Sequence, residues 1–592
     1  MKEINFYRKY FFWVILLSII PVLSVFVNPW MLHTHDGPVH IARMAAWYQA
    51  LEAGQIPPRW ASGFNFGYGS PVLIFMYPLP YFLSYLFLKI GASLVFSFKI
   101  VLISSFIASG VLSFIAARKL YKDEQKAFLF FIFYQFFTFR FVEMMVRGSF
   151  GETWVYAFVP LVLLGIAKIK NNLFSGFLTI SLGVALLILS HNSVSVCFVA
   201  VLGLFSLIYL NFSREFFINL SGFIIGLAIS AFYWVPALME RKYTYGDLFM
   251  KDLYLEHFPK ISQLLLPNFN NAISGQVGGI AVQFGILQII SLVLVIYLLF
   301  KFKVSKLIHC HSGLDPESIQ KKLIPIDSRF RGSDSERINF NAEANLMKRI
   351  WLTGLVIIVG CIFLMQPISI FLWQKFALLR QFQFSWRLLS VVGFIFSFTA
   401  LSFLNFKFFK KRIVFLILVI LIVTSTIFYW QPLLGFDQID QNYFWNYPLS
   451  STYYGEANTI WAGDPPSSYP ESRVELVDGK GETSDFKFSS VSHTFNVKAA
   501  QSVEILDRTL YFPGWRAYID GQETTVEFQN QAYRGYITFN VPSGFHQIEV
   551  KYTKSKDRLL SEILSLTSFT SLIVLTIFVL QKRKKLAVRS RK

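Results

Sequence analysis

Long apolar runs separated by short polar stretches fill most of the chain. They cover Phe11 to Val27, then 94–117, 127–144, 153–168, 173–190, 194–210, 216–236, 281–301, 350–366, 387–404, 412–429 and 559–580. A run of about 20 apolar residues crosses a bilayer as a helix. The pattern predicts a polytopic α-helical membrane protein with about twelve transmembrane helices. The first run follows Lys2, Arg8 and Lys9 and lacks a small-residue cleavage site. It reads as a signal anchor with its N-terminus in the cytoplasm.

The stretch 72–91 is also apolar, but prolines 78 and 80 interrupt it. It is expected to lie on the outer surface or to re-enter, not to span. With that exclusion the basic clusters share one side. They are Arg118-Lys119 with Lys122 and Lys126, Lys168 and Lys170, Arg214, the loop 301–349, Lys407 with Lys410, Lys411 and Arg412, and the tail from Lys582 to Lys592. Basic loops stay inside, so both termini are expected in the cytoplasm.

Three long segments then face outward: 28–93, 237–280 and 430–558. The last is richer in Ser, Thr, Gly, Asp and Glu, and it alternates at Thr524–Phe528, Tyr536–Val541 and Ile548–Tyr552. Asp520-Gly521 and Pro542-Ser543-Gly544 read as hairpin turns. The expected architecture is a transmembrane domain over 1–429 and a small extracytoplasmic β-sandwich over 430–558. The last helix and a basic tail fill 559–592. The cytoplasmic stretch 303–349 is polar, lacks a helical stripe and resembles a translated repetitive element. It is expected to be disordered and without a chemical role.

Composition agrees. The 592 residues are 54% hydrophobic and only 15% charged. Soluble chains carry about a quarter charged residues, so a large soluble enzyme is excluded. The net charge of +20 falls on the cytoplasmic segments in this topology. It therefore reads as membrane orientation, not nucleic-acid affinity. Cys197, Cys310 and Cys361 are far apart, which leaves no disulfide framework. No P-loop, dinucleotide fingerprint or nucleophile elbow occurs.

Charged residues near the outer boundary are the candidates for chemistry. The first outer segment reads His33-Thr34-His35-Asp36-Gly37-Pro38-Val39-His40, with Arg43 one turn on. A helix starting after Pro38 places Asp36 at its positive end and His40 and Arg43 on one face. Asp36 suits a general base or an N-cap. The three histidines and Asp36 are also ligand types for a divalent cation, at a spacing that matches no recognised set. Gln55 to Trp60 and Gly67 to Pro71 form a stiff loop, read as functional or as a lid. Arg140, Glu143, Arg147 and Glu152 follow at the second boundary, as functional charges or as two structural ion pairs. Gln383 and Arg387 lie at a third, where Arg387 can grip a phosphate or snorkel. Glu240 and His257 add isolated polar groups.

The segment HTHDGPVHIARMAAWYQALEAGQIPPRWASGFNFGYGSPVLIFMYPLPYFLSYLF resembles the bacterial 6-pyruvoyl-tetrahydropterin synthase-related membrane proteins. That family looks like a branch of the GT-C glycosyltransferase superfamily, near the YfhO-like proteins. VRGSFGETWVYAFVPLVLLG, LLRQFQFSWRLLSV and YFPGWRAYIDGQE match the same pattern, with Ser385 where relatives often have proline. The resemblance covers most of the chain except 303–349, and nothing here resembles a soluble pterin enzyme.

The resemblance implies a GT-C-like fold in the bacterial inner membrane. It also implies transfer of a sugar from a polyprenyl-phosphate donor to an envelope glycan or lipid acceptor at the outer face, with inversion. Asp36 matches the catalytic base, and Glu152, or less well Glu143, the second acidic position. Arg387 and Arg147 would meet the leaving phosphate. His40, Arg43, Glu143 and Gln383 would complete the substrate contacts, with no metal ligands assigned. Two other classes fit the same pattern. One is a lipid-linked saccharide transporter or flippase, and the other a non-enzymatic envelope assembly factor.

Overall fold

The computed structural model describes residues 2–267, 280–312, 334–452 and 455–589. Among them, nine helices are long and apolar enough to cross a membrane. Two bent pairs raise this to eleven if each is one span. These are Glu124–Gln135 with Thr138–Val146, bent by 54°, and Arg214–Ile229 with Ala231–Tyr243, bent by 65°. The remaining run of the expected twelve lies in the helix Ile286–Ser312, whose apolar part, Ile286–Lys301, is shorter.

Helix starts follow local chemistry. Ser93, Asp123, Asn172 and Ser213 each accept a bond from a backbone N–H of the following first turn. That satisfies donors the helix itself cannot. The breaks were not foreseen. At the second, Ser230 Oγ donates back to the carbonyls of Gly226 and Leu227, a bond that bends helices.

The 72–91 stretch forms two short helices, Val72–Phe75 and Pro78–Lys89, with Met76 and Tyr77 extended between them. Twelve residues of helix reach only about 18 Å, short of a bilayer core. The disorder expected across 303–349 is corrected at both ends. Helices continue to Ser312 and resume at Asp334. Extending an existing helix costs little once apolar turns have nucleated it. The centre of that expectation, 313–333, lies outside the described residues.

The β-rich unit is a sandwich. One antiparallel sheet has the order β4-β5-β10-β7-β8, with β4 Gly481–Phe488, β5 Ser492–Ala499, β7 Trp515–Ile519, β8 Gln522–Thr524 and β10 Gly544–Tyr552. The other is β3-β6-β9, with β3 Val474–Asp478, β6 Val503–Leu510 and β9 Tyr536–Val541. Phe495, Val497, Ile548 and Val550 from the first sheet share a core with Ile505, Ile537, Phe539 and Val541 from the second. Tyr536–Val541 and Ile548–Tyr552 are strands as expected. Thr524–Phe528 is not, because β8 ends at Thr524 and only Glu527 bridges to Thr538. Asp520 and Gly521, at φ 49° and 82°, make the two-residue turn between β7 and β8. Pro542-Ser543-Gly544 is not a hairpin turn, since β9 and β10 lie in different sheets.

The sandwich proper occupies 474–552. The chain before it straps along the first inter-helix segment. There β2, Phe436–Asp437, pairs with β1, Met31–Leu32. Trp60 enters the sandwich core and lies edge-on to Trp515 at 5.4 Å. The Gln55–Trp60 loop therefore holds the β-unit against the helices. A second tie is ionic: Arg558 Nε and Nη2 donate to Glu240 Oε1 and Oε2, both at 2.8 Å. Both side chains are buried. Removing one partner strands the other charge, so Arg558→Ala should cost about 3–5 kcal/mol. Thermal unfolding in detergent reads this, and an unchanged transition would show the pair is not needed.

Candidate active site

Asp36 lies in an irregular segment after the strand Met31–Leu32, held by main-chain bonds. His35 N donates to Val146 O at 3.1 Å and Asp36 N to Arg147 O at 2.8 Å. The helix Gly37–Glu52 begins next, with Pro38 in its first turn, where a missing N–H costs nothing. Asp36 occupies the N-cap position, yet its side chain makes no capping bond. It turns to Arg147, whose Nη2 lies 3.4 Å from Asp36 Oδ2.

Arg147 follows a π-helical turn, Val142–Val146. Such turns are inserted where side chains must be re-aimed. Its Nη1 donates to Glu143 Oε2 at 2.6 Å and to Glu152 Oε1 at 2.9 Å. Arg387, in the 3₁₀ turn Ser385–Leu388, donates from Nε to the same Glu152 oxygen at 2.9 Å. Its Nη1 donates to Phe382 O at 2.8 Å and Gln383 Oε1 at 2.9 Å. His191 Nε2 lies 3.5 Å from Glu152 Oε1. Three carboxyl groups thus surround two guanidinium groups. The Asp36 side chain is 44% exposed, Arg147 4%, and both glutamates 0%. Only Asp36 opens to solvent.

Aromatic rings frame the cations. Phe384 and Trp386 stack at 4.8 Å. Arg147 lies 4.9 Å from the Trp386 ring and Arg387 4.8 Å from the Phe384 ring. Quadrupoles at this range attract a desolvated cation and fix its plane. Gln383 takes a left-handed backbone, φ 61°, and its amide reaches Met250 Sδ. Gly148 has φ 65°, and a Cβ there would overlap Thr34 Oγ1. Gly148→Ala should therefore destabilise by at least about 1–2 kcal/mol. Thermal unfolding checks this, and a wild-type transition would show that the turn relaxes freely.

The structure thus joins Asp36, Glu143, Arg147, Glu152, Arg387 and Gln383. It corrects the two-pair alternative: Arg140 stays out, fully buried against Phe106 and Tyr156 and bonded to Ser109. Arg147 takes both glutamates instead. Glu152, expected as a second catalytic acid, is enclosed by its partners and contacts no open space. His40 and Arg43 also stay apart from the cluster. His40 Nδ1 meets Tyr81 Oη at 2.8 Å, and Arg43 bonds Ser451 on the strap. One and two turns beyond Asp36, they face neighbouring elements. Sequence reasoning missed His191, which lies in the short polar turn Ser190-His191-Asn192-Ser193 between two apolar helices.

No group of three or more His, Cys, Asp or Glu suited to a metal ion occurs among the described residues. The histidines of the first segment diverge, with His33 Nδ1 on Asp437 at 3.0 Å and His40 on Tyr81. Burial pushes Tyr81 up to about 12. It also pushes His191 down to about 3 and holds His40 well below the ordinary range.

Both histidines stay neutral while folded, but the unfolded chain protonates them below about pH 6.5. The unfolded state then binds more protons, so stability falls on acidification. The slope is about 1.4 kcal/mol per pH unit for each histidine. Unfolding midpoints of wild type and His191→Gln across pH 7 to 5 check this. Identical profiles would contradict it.

No protein-family model matches the chain, and a search of curated proteins finds no match.

Proposed function

We propose that the protein is an integral membrane glycosyltransferase of the GT-C type. It moves a sugar from a polyprenyl-phosphate donor to an envelope glycan or lipid acceptor at the outer face, with inversion. The observation that carries this reading is one accessible carboxylate beside two buried, aromatic-framed arginines. Transfer from a lipid phosphate needs both parts. A base must take the acceptor's proton, and cations must receive the charge of the leaving phosphate.

Asp36 accepts the proton of the acceptor hydroxyl, whose oxygen bonds to the anomeric carbon. The bond from that carbon to the phosphate oxygen breaks, and the lipid phosphate leaves with the electron pair. Arg387 bonds through Nε and Nη1, and its Nη2 would meet that charge. Arg147 holds Asp36 and adds a second positive field. Glu152 and Glu143 are positioning residues that orient the guanidinium groups.

One observation favours a saccharide transporter instead: the two bent pairs, since broken spans build transport sites. Reconstituted vesicles loaded with labelled polyprenyl-phosphate sugar separate the two. Label recovered on a new glycan supports transfer. Intact labelled lipid moving between leaflets, with no new product, supports transport.

A further inference from the structure

The helix that Asp36 begins also forms one wall of a cleft of about 230 Å³. Ala42, Ala46 and Gln49 lie on one stripe of Gly37–Glu52, four and three residues apart. Opposite them stand Trp445, Asn446 and Tyr447 of the strap, and Tyr469 closes one side. At 1.5 Å per residue, the stripe runs from about 9 to about 20 Å along the helix from Asp36.

The lining selects a ligand class. None of its lining side chains carries a charge, and the nearest cation, Arg473 beside Gly67, is already bonded to the Gly67 carbonyl and to Thr509. It is also unlike an acyl-chain groove, because amides and a hydroxyl, from Gln49, Asn446 and Ser62, alternate with rings. Gln49 donates its amide N–H to Trp445 O at 2.8 Å, and its amide oxygen has no partner among the described residues. Tyr469 is 59% exposed although it is a large ring, and it stands edge-on to Phe66 at 5.5 Å. The space above Gly67 is shared by the Tyr469 ring and the guanidinium of Arg473, which donates to the Gly67 carbonyl. Open aromatic faces beside uncharged hydrogen-bonding groups suit a ligand with apolar C–H faces and many hydroxyls.

We propose that this cleft binds an uncharged saccharide, the part of the acceptor that leads to Asp36. The proposal rests on the transferase reading for the word acceptor, but the cleft's ligand chemistry stands on its lining alone. The small side chains of Ala42 and Ala46 leave the room, and the shared helix fixes the cleft's distance from Asp36.

Binding to the purified full chain tests it. The probes are fluorescently labelled neutral trisaccharides of glucose, galactose, mannose and N-acetylglucosamine, with a glucuronate-bearing trisaccharide as the charged counterpart. At least one neutral probe should bind, and more tightly than the uronate. Tyr469→Ala, at an exposed position, should weaken it about tenfold, which is about 1.4 kcal/mol. Gln49→Ala should also weaken it. No binding of any neutral probe, or unchanged binding by both cleft variants, overturns the proposal. If the probe binds through Tyr469 yet Asp36→Asn still transfers sugar, the base assignment falls and the cleft stands.

Discussion

Asp36→Asn is expected to lower sugar transfer by about 10²–10⁴-fold, the usual worth of a positioned general base. The substitution keeps the shape and a hydrogen bond to Arg147 but removes the proton acceptor. Asp36 forms no capping bond, so the helix Gly37–Glu52 should start as before. Asp36 is also the most exposed of the three carboxyl groups around Arg147. Fold and donor binding should therefore survive, and the loss should appear in kcat. Transfer at the wild-type rate in membranes carrying labelled donor would remove Asp36 from the mechanism.

Glu152→Ala should act differently. One oxygen of Glu152 receives both Arg147 and Arg387, so its loss strands two buried cations at once. Breaking a buried ionic group of this kind costs about 3–5 kcal/mol. The expected result is a markedly lower unfolding temperature together with loss of transfer. Glu152→Gln keeps an acceptor oxygen and should recover part of the stability but not the activity, because the arginines are no longer balanced. Equal unfolding temperatures for wild type and Glu152→Ala would show that the arginines are held by their rings and carbonyl partners alone.

Much of this was legible in the sequence because bilayer burial writes a coarse signal. Runs of apolar residues, the two prolines in 72–91 and the strand alternation at Tyr536–Val541 each have one local cause. The break at Phe136-Phe137 has no proline to announce it. The one at Ser230 turns on a back-bond from a serine that looks like any other serine in an apolar run. The part of Trp60 in the β-unit was not legible either, because it completes a core that lies more than 400 residues later in the chain.

The site divides along the same line. Asp36, Glu143, Arg147, Glu152 and Arg387 stood out as charges beside apolar runs, where a charge is costly. Their partners did not. Two Arg–Glu pairs were one reading of this stretch, but Arg147, just after the π-helical turn Val142–Val146, takes both Glu143 and Glu152. His40 and Arg43 looked like part of the site by helical spacing. That argument gives a face and not what the face meets, which is Tyr81 for one and the strap for the other.

The most direct measurement is release of sugar from a labelled polyprenyl-phosphate donor by the purified protein. The anomeric configuration of the product is read by NMR. The account predicts release with inversion, dependent on Asp36. A retained configuration, or no release by wild type while intact lipid-linked sugar crosses the membrane, would contradict it.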